Sequence, residues 1–418
     1  MSSFQVMGGR PLEGELSVQG AKNSVLPLLA STILAPGISV LHNCPDLSDV
    51  TASLAILEYM GCKTRREGDT ITVDATVLTR CDIPDELMRA MRSSVIFLGA
   101  VLARTGEAHI NFPGGCELGP RPIDLHIAAL RRLGACICEG PDGISCTAKN
   151  LRGTEITLSI PSVGATENAM LCATAAQGET TIMNAAREPE IADLEAFLIA
   201  MGGTVRGAGT SVITVQGGKA LCGGTHRVMG DRIVAATYLS AVAATGGSLK
   251  LTGADYRHTS AVAAVLAESG CTVRSGQGWI ALTRREDCPL RAPAPIRTAP
   301  YPGFPTDAQA PVMACCCGAR GTTIFTENVF DSRYRHVDEL RRFGAQIRVE
   351  GRVAVVCGGA KLHGATALAT DLRGGAALVV AALAAEGEST VSGLCHVDRG
   401  YGSFERDLRA LGAHILRI

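Results

Sequence analysis

Six glycines divide this chain at near-regular intervals. Gly61, Gly134, Gly202, Gly270, Gly344 and Gly412 are separated by 73, 68, 68, 74 and 68 residues. Each closes a helix-like stretch and precedes a short β-like run, as in Leu57-Glu58-Tyr59-Met60-Gly61, Leu130-Arg131-Arg132-Leu133-Gly134 and Leu340-Arg341-Arg342-Phe343-Gly344. Glycine just past a helix end suits the left-handed conformation of a C-cap. Spacing this regular points to internal repetition. A second element recurs in phase: an Ala-rich helix ending at glycine, an alternating strand, then a polar loop. Cys172 to Met183 and Ala384 to Val391 are examples. Each unit of about 70 residues therefore reads as two helices and about four strands. Strands interleaved with helices, each with one apolar face, predict an α/β layer fold. Six units divide most simply into two domains of three.

Composition agrees with that size. A chain of 418 residues with 46% apolar content can bury two large cores. The net charge of -1 gives no reason to expect nucleic acid or a membrane surface as partner, and 4% aromatic residues argue against base-stacking platforms. No apolar run reaches the ~18 residues needed to span a bilayer. Met1-Ser2-Ser3-Phe4-Gln5 lacks the basic and apolar regions of a signal peptide, so a cytoplasmic location is expected. Sixteen cysteines in a long Ala/Gly-rich chain do not resemble the disulfide framework of a small secreted domain. Cys136 and Cys138, and the run Cys315-Cys316-Cys317, lack the paired spacing of a zinc site. Most of the cysteines read as small core residues in a reducing compartment.

The polar loop after the second strand-forming stretch is where the six copies differ. It holds Asn43-Cys44-Pro45-Asp46, Pro113-Gly114-Gly115-Cys116, Asn184 to Glu190, Gly253-Ala254-Asp255, Glu327 to Arg333, and His396 to Tyr401. Varied loops on a repeated frame are what a rigid scaffold carrying function would show. The most distinctive runs from Asn111 to Pro122 and sets one cysteine among Gly and Pro, with Arg121 five residues on. Gly114 and Gly115 let the backbone turn sharply. A thiol near guanidinium groups is a candidate nucleophile or proton donor. The plainer alternative is a loop cysteine without a role.

A set of short motifs in order carries a resemblance. They are Gly20-Ala21-Lys22-Asn23, Met91-Arg92-Ser93-Ser94, Pro113 to Cys116, Arg121-Pro122-Ile123-Asp124-Leu125-His126 and Ser162-Val163-Gly164-Ala165-Thr166. Asn184 to Glu190, Phe304-Pro305-Thr306-Asp307, Asp371-Leu372-Arg373 and Asp398-Arg399-Gly400-Tyr401 complete it. From Phe4 to the C-terminus the chain resembles the UDP-N-acetylglucosamine 1-carboxyvinyltransferases, a family of enolpyruvyl transferases. The resemblance implies a two-domain inside-out α/β barrel, each domain built of three βαβαββ repeats about a pseudo-threefold axis. It places the first domain at 22–229, with the Cys116 loop, and the second at 230–418 together with 1–21.

The resemblance also implies the substrates, phosphoenolpyruvate and UDP-N-acetylglucosamine, with no metal and no organic cofactor; it leaves the oligomeric state open. Both substrates are polyanions, so a near-neutral protein must attract them with a local cationic cluster. Lys22 and Asn23 would contact phosphoenolpyruvate, and a solvated surface lysine is the alternative for Lys22. Arg121 and Arg399 would pair with phosphate and carboxylate oxygens, which suit a guanidinium fork. Arg92 is expected on a helix opened by Pro84, with Arg89 three residues earlier on nearly the same face; two solvated helix arginines are the alternative. Arg373 follows Asp371 by two, so both would point the same way in a strand; a structural ion pair is the alternative. Cys116 would protonate C3 of phosphoenolpyruvate and could form a covalent adduct with it. Asp307 would take or orient the proton of the sugar 3-hydroxyl; otherwise it is a turn aspartate. Arg121, Pro122, Ile123, Asp124, Leu125, Ser162, Val163, Gly164 and Val329 would hold the UDP-sugar, and the Cys116 loop would act as a lid.

One stretch departs from the family pattern. Val234 stands where an acid is usual and Ala236 where glycine is usual, which suggests a divergent member. Three other readings compete. One is the sister enzyme 5-enolpyruvylshikimate-3-phosphate synthase, which lacks the lid cysteine. Another is an idle paralogue that binds UDP-sugar and regulates a partner. The third is a purely structural repeat array.

Overall fold

The structure is a computed structural model that describes residues 2–111, 123–141, 143–285 and 287–418. The loop around Cys116, with Arg121 and Pro122, lies outside the described residues.

The six glycines end six helices in the same way. Each takes a positive φ, between 89° and 105°. One residue separates each from a helix: Ser48–Tyr59, Asp124–Arg132, Pro189–Ala200, Tyr256–Glu268, Val337–Arg342 and Phe404–Ala410. The amide after the glycine turns back to the carbonyl of a leucine five residues earlier, as Cys62 N does to Leu57 O (3.0 Å) and Ala413 N to Leu408 O (3.0 Å). These are Schellman caps, and they satisfy carbonyls that the helix end would leave free. The six capped leucines are all buried, which ties each cap to a core.

The helix ends offer a direct stability test. A Cβ built at Gly412 meets nothing within 4 Å, so Gly412→Ala is expected to cost only the left-handed strain, about 1–2 kcal/mol. At Gly61 the added carbon would also lie 2.6 Å from Thr79 Oγ1. Gly61→Ala should therefore be the more destabilising of the two by urea denaturation. Equal losses would mean that the caps are not what holds these turns.

Among the described residues the strands form six four-stranded sheets, each with one parallel and two antiparallel pairings, and some sheets borrow a strand from another part of the chain. One sheet is ordered Thr225–Arg227, Ile38–His42, Thr70–Asp74, Lys63–Glu67, the first pair parallel. Another is ordered Ile296–Arg297, Thr322–Thr326, Val353–Cys357, Gln346–Glu350. The last sheet is completed from the other end of the chain. Ser3–Met7 pairs antiparallel with both Glu388–Ser392 and His414–Arg417. The following strand, Leu12–Ser17, pairs parallel with Gly247–Thr252.

The contacts divide the chain into two compact units. One comprises residues 2–19 and 230–418, the other the described residues of 20–229, and each has its own apolar core. In the first, helices Arg232–Thr245, Thr306–Cys317 and Leu372–Ala384 pack on one another and are buried nearly all round. A helix buried on every face must be apolar on every face. That accounts for Cys315-Cys316-Cys317, whose small thiols lie in this packing; burial pushes the Cys316 thiol up to about 12. In the other unit Phe97–Thr105 packs against both Lys22–Ser31 and Val163–Ala173. Among the described residues no helix is long and apolar enough to cross a membrane.

Candidate active site

Within each unit several of the sequence-predicted site residues lie at helix N-terminal ends, where free amides and the helix dipole favour negative charge. In the unit containing residues 20–229, Lys22 is the first residue of helix Lys22–Ser31. Gly20 is fixed by close approach: a Cβ there would lie 1.8 Å from Asn43 O. Lys22 is buried, and its Nζ lies 2.6 Å from Oδ2 of the buried Asp49. It is not a solvated surface lysine, while Asn23 beside it is exposed. Asp193, on helix Pro189–Ala200, anchors the start of the Lys22 helix. It accepts from Ser24 Oγ, from His226 Nε2 (2.8 Å) and from Met229 N (3.2 Å).

The predicted UDP-sugar segments come together in the same unit. Ser162 caps helix Val163–Ala173, its Oγ accepting from Ala165 N at 3.4 Å. At Gly164 a Cβ would lie 2.9 Å from His126 Cε1. Helix Asp124–Arg132 therefore begins against the start of helix Val163–Ala173, which places Ile123, Asp124 and Leu125 near Ser162, Val163 and Gly164. His126 is locked there by Asn168, whose amide donates to Nδ1 (2.7 Å) and to Val95 O (3.0 Å) and accepts from Gly99 N (2.7 Å). That network assigns the ring proton to Nε2. Burial drives the ring down to about 4 against the pull of Asp124, so His126 is neutral at physiological pH.

Arg92 is placed differently from expectation. Pro84 does open a helix, but it covers only Asp85–Ala90. Met91 is extended (φ -140°, ψ 128°), and Arg92 begins a separate 3-10 turn, Arg92–Ile96. Arg89 and Arg92 thus share no helix face, and Arg89 pairs with Asp85 four residues back at 2.8 Å.

A buried acidic group joins this unit. Burial, with the charges of Glu190 and Glu188 adding to it, holds the Glu167 carboxyl well above the usual carboxylate range. A carboxyl that binds its proton more tightly when folded stabilises the fold below its unfolded pKa. The contribution is lost as pH rises toward the folded value. Glu167→Gln should therefore melt increasingly above the wild type as pH is raised from about 5 to about 8. A pH-independent difference in Tm would show that Glu167 does not titrate in this way.

The second cluster belongs to the unit containing residues 230–418. Asp307 lies in the first turn of helix Thr306–Cys317 and is not a turn residue. Arg333 Nη2 donates to its Oδ1 (2.9 Å) and to Thr306 O (3.1 Å), and Arg373 Nη2 donates to its Oδ2 (3.4 Å). Both arginine side chains are 3% exposed, whereas the Asp307 side chain is 28% exposed. The carboxylate is thus gripped from the protein interior with part of it left open to solvent. Arg373 also donates to Tyr401 Oη (3.3 Å), which bonds Thr237 Oγ1 (2.8 Å). Glu327, itself buried, accepts from Thr298 and Thr306 hydroxyls and from Val329 N (2.8 Å) and Phe330 N (3.1 Å). It fixes the loop that presents the exposed Val329. Arg399 is half-buried on the turn after Leu394–Val397.

Asp371 and Arg373 do not lie on a strand. Asp371 caps helix Leu372–Ala384, its Oδ1 accepting from Arg373 N (3.0 Å) and Gly374 N (2.8 Å). The carboxylate satisfies helix amides, which is why the run starts a helix, and the Arg373 side chain goes to Asp307 instead. Val234 lies in the apolar core and adds no charge to this cluster. Sequence reasoning missed Arg333, Glu327, Asp49, His126 and Asn168 as parts of these clusters. Arg333 and Glu327 stood in a loop already marked as variable, and the hydroxyls and carboxylates that engage them are distant in sequence. Among the described residues, metal-capable donors gather at Cys81, Glu107 and His109, none of which is a predicted site residue.

A UDP-N-acetylglucosamine 1-carboxyvinyltransferase 2 from Caldanaerobacter subterraneus subsp. tengcongensis is 50% identical over the whole of both chains. The chain belongs to the UDP-N-acetylglucosamine 1-carboxyvinyltransferase family. A second member of this family, from Carboxydothermus hydrogenoformans, is 46% identical over 100% of the chain and 99% of its own length. The broader family described as EPSP synthase (3-phosphoshikimate 1-carboxyvinyltransferase) matches residues 6–408. Among solved structures, the enolpyruvyl transferase NikO from Streptomyces tendae superposes with a TM-score of 0.89 at 26% identity, covering 100% of this chain and 98% of its own. An EPSP synthase from Acinetobacter baumannii covers 100% of both chains with a TM-score of 0.75 at 19% identity. It shares the fold.

Proposed function

We propose that this protein transfers the enolpyruvyl group of phosphoenolpyruvate to the 3-hydroxyl of UDP-N-acetylglucosamine, releasing phosphate, as the first committed step of peptidoglycan synthesis. Full-length identity of 44–50% to transferases of that name carries the reading. The 19% identity to a 5-enolpyruvylshikimate-3-phosphate synthase puts the sister activity behind it.

In this reading the 3-hydroxyl adds to C2 of phosphoenolpyruvate while C3 gains a proton, and phosphate leaves when a proton is lost from C3. Asp307 takes the hydroxyl proton or orients the hydroxyl. Its side chain is 28% exposed and so reaches solvent, while Arg333 and Arg373 fix the orientation of the carboxylate from within. Cys116 donates the proton to C3. Lys22, Asn23, Arg121 and Arg399 bind phosphoenolpyruvate and stabilise the charge on the departing phosphate. Arg121 to Leu125, Ser162 to Gly164 and Val329 hold the UDP-sugar, Arg92 joins in binding substrate, and the buried Arg373, with Asp371 capping its helix, orders Asp307. The neutral His126 supports the segments at 123–125 and 162–164 without adding charge beside a diphosphate.

The reading extends to architecture and context. The domains are 22–229 and 230–418 with 1–21, each an inside-out α/β barrel of three βαβαββ repeats. The recurrence of one sheet order and one helix cap supports this. The protein acts in the cytoplasm, and fosfomycin is its inhibitor through Cys116. The test is phosphate release that requires phosphoenolpyruvate and UDP-N-acetylglucosamine together.

A further inference from the structure

Ten buried side-chain polar atoms among the described residues make no hydrogen bond, and five lie in one cluster: Arg333 Nε, Arg373 Nε, Asp371 Oδ2 and both ring nitrogens of His336. The cluster is contiguous. A Cβ built at Gly374 would lie 2.5 Å from Asp371 Oδ2 and 2.9 Å from His336 Cβ, so only glycine fits between them. His336 is fully buried. Burial drives its ring down to about 4, with the Arg333 charge pushing the same way and Asp371 opposing. It is neutral and adds no third positive charge.

Such a cluster is poor for stability. Buried ionic groups with unmade hydrogen bonds cost free energy, and apolar residues of similar size often serve a fold as well or better. What Arg333 does achieve is geometric. One nitrogen, Nη2, bridges Thr306 O and Asp307 Oδ1, so it ties the carboxylate to the backbone of its own helix start. Arg373 takes the other oxygen from a different helix. Two donors from two elements fix the plane of the carboxylate. The Arg333 side chain packs over Phe330 at 5.7 Å and is almost inaccessible, so it cannot itself serve as an open anion-binding arm.

We propose that Arg333 is a positioning residue for the transfer reaction, holding the Asp307 carboxylate in the orientation that meets the sugar hydroxyl. This rests on the reading of the reaction given above. Displacing a reacting group by an ångström can cost about 100-fold in rate, and that is the loss expected in kcat for Arg333→Met. The KM for UDP-N-acetylglucosamine should change far less. Because Asp307 keeps Arg373 and an unmade hydrogen bond at Nε disappears, Tm should be unchanged or higher. Arg333→Lys should recover only part of the rate, since its shorter stem and strongly hydrated ammonium reach Thr306 O and Asp307 Oδ1 less well than Nη2 does.

The experiment measures steady-state phosphate release and thermal unfolding for wild type, Arg333→Met and Arg333→Lys, with calorimetric binding of UDP-N-acetylglucosamine as a check of folding. A lowered kcat with retained Tm and binding supports the proposal. Wild-type kcat in Arg333→Met overturns it. So does a fall in Tm and binding that matches the fall in kcat in both variants, which would mark Arg333 as structural. An inactive wild type would instead sink the reading of the reaction itself.

Discussion

Asp307→Ala is expected to lose both activity and stability. Without the carboxylate, the Arg333 and Arg373 guanidiniums, each 3% exposed, remain buried beside each other with their shared counter-ion gone. Removing one partner of a buried pair costs about 3–5 kcal/mol, and the partial exposure of Asp307 puts this case at the lower end. Loss of an acid–base group lowers rate by roughly 10²–10⁴. The two effects separate in Asp307→Asn, which keeps the shape and part of the hydrogen bonding but cannot accept a proton. Its kcat should fall as far as that of the alanine variant, with a smaller drop in Tm. An asparagine variant with near wild-type turnover would remove Asp307 from proton transfer and leave it the orienting role alone.

Cys116→Ala should remove turnover while leaving the fold intact, because general acid help is worth roughly 10²–10⁴ in rate. The same thiol should be the one that an epoxide phosphonate alkylates. Eight of the fifteen described cysteines are buried, and burial pushes thiols such as Cys44 and Cys316 up to about 12. A thiol held as neutral SH in an apolar core is a poor nucleophile. Burial does not protect the exposed Cys136, Cys138, Cys222, Cys357 and Cys395, but none of them belongs to the proposed site, so mass spectrometry after fosfomycin treatment with UDP-sugar present should find a single adduct, on Cys116. An adduct elsewhere, or none, would count against the assignment of the loop.

Much of the frame was legible in the sequence, because the devices that build it are local. A glycine after a helix and a leucine four residues before it define a cap that any copy of the repeat must keep, and all six are found. The motifs at the helix starts were also legible as motifs, and the structure explains their small residues through close approach at Gly20 and Gly164. The errors arose where a local pattern has two solutions. Asp371-Leu372-Arg373 fits a strand face, but an aspartate with free helix amides ahead of it becomes a cap. Pro84 to Arg92 reads as one helix, but the helix ends at Ala90 and Met91 is extended before a 3-10 turn. The residues missed altogether depend on distant partners. Arg333 gains its meaning from Thr306 and Asp307, and Asn168 from Val95, Gly99 and His126. Periodicity carries no information about such pairings.

The most direct test of the central claim is phosphate release from purified protein given phosphoenolpyruvate with either UDP-N-acetylglucosamine or shikimate-3-phosphate. The account predicts release with the UDP-sugar alone, and with Val234 affecting no more than the rate. Release with shikimate-3-phosphate, or none with either substrate from folded protein that still binds the UDP-sugar, would contradict it.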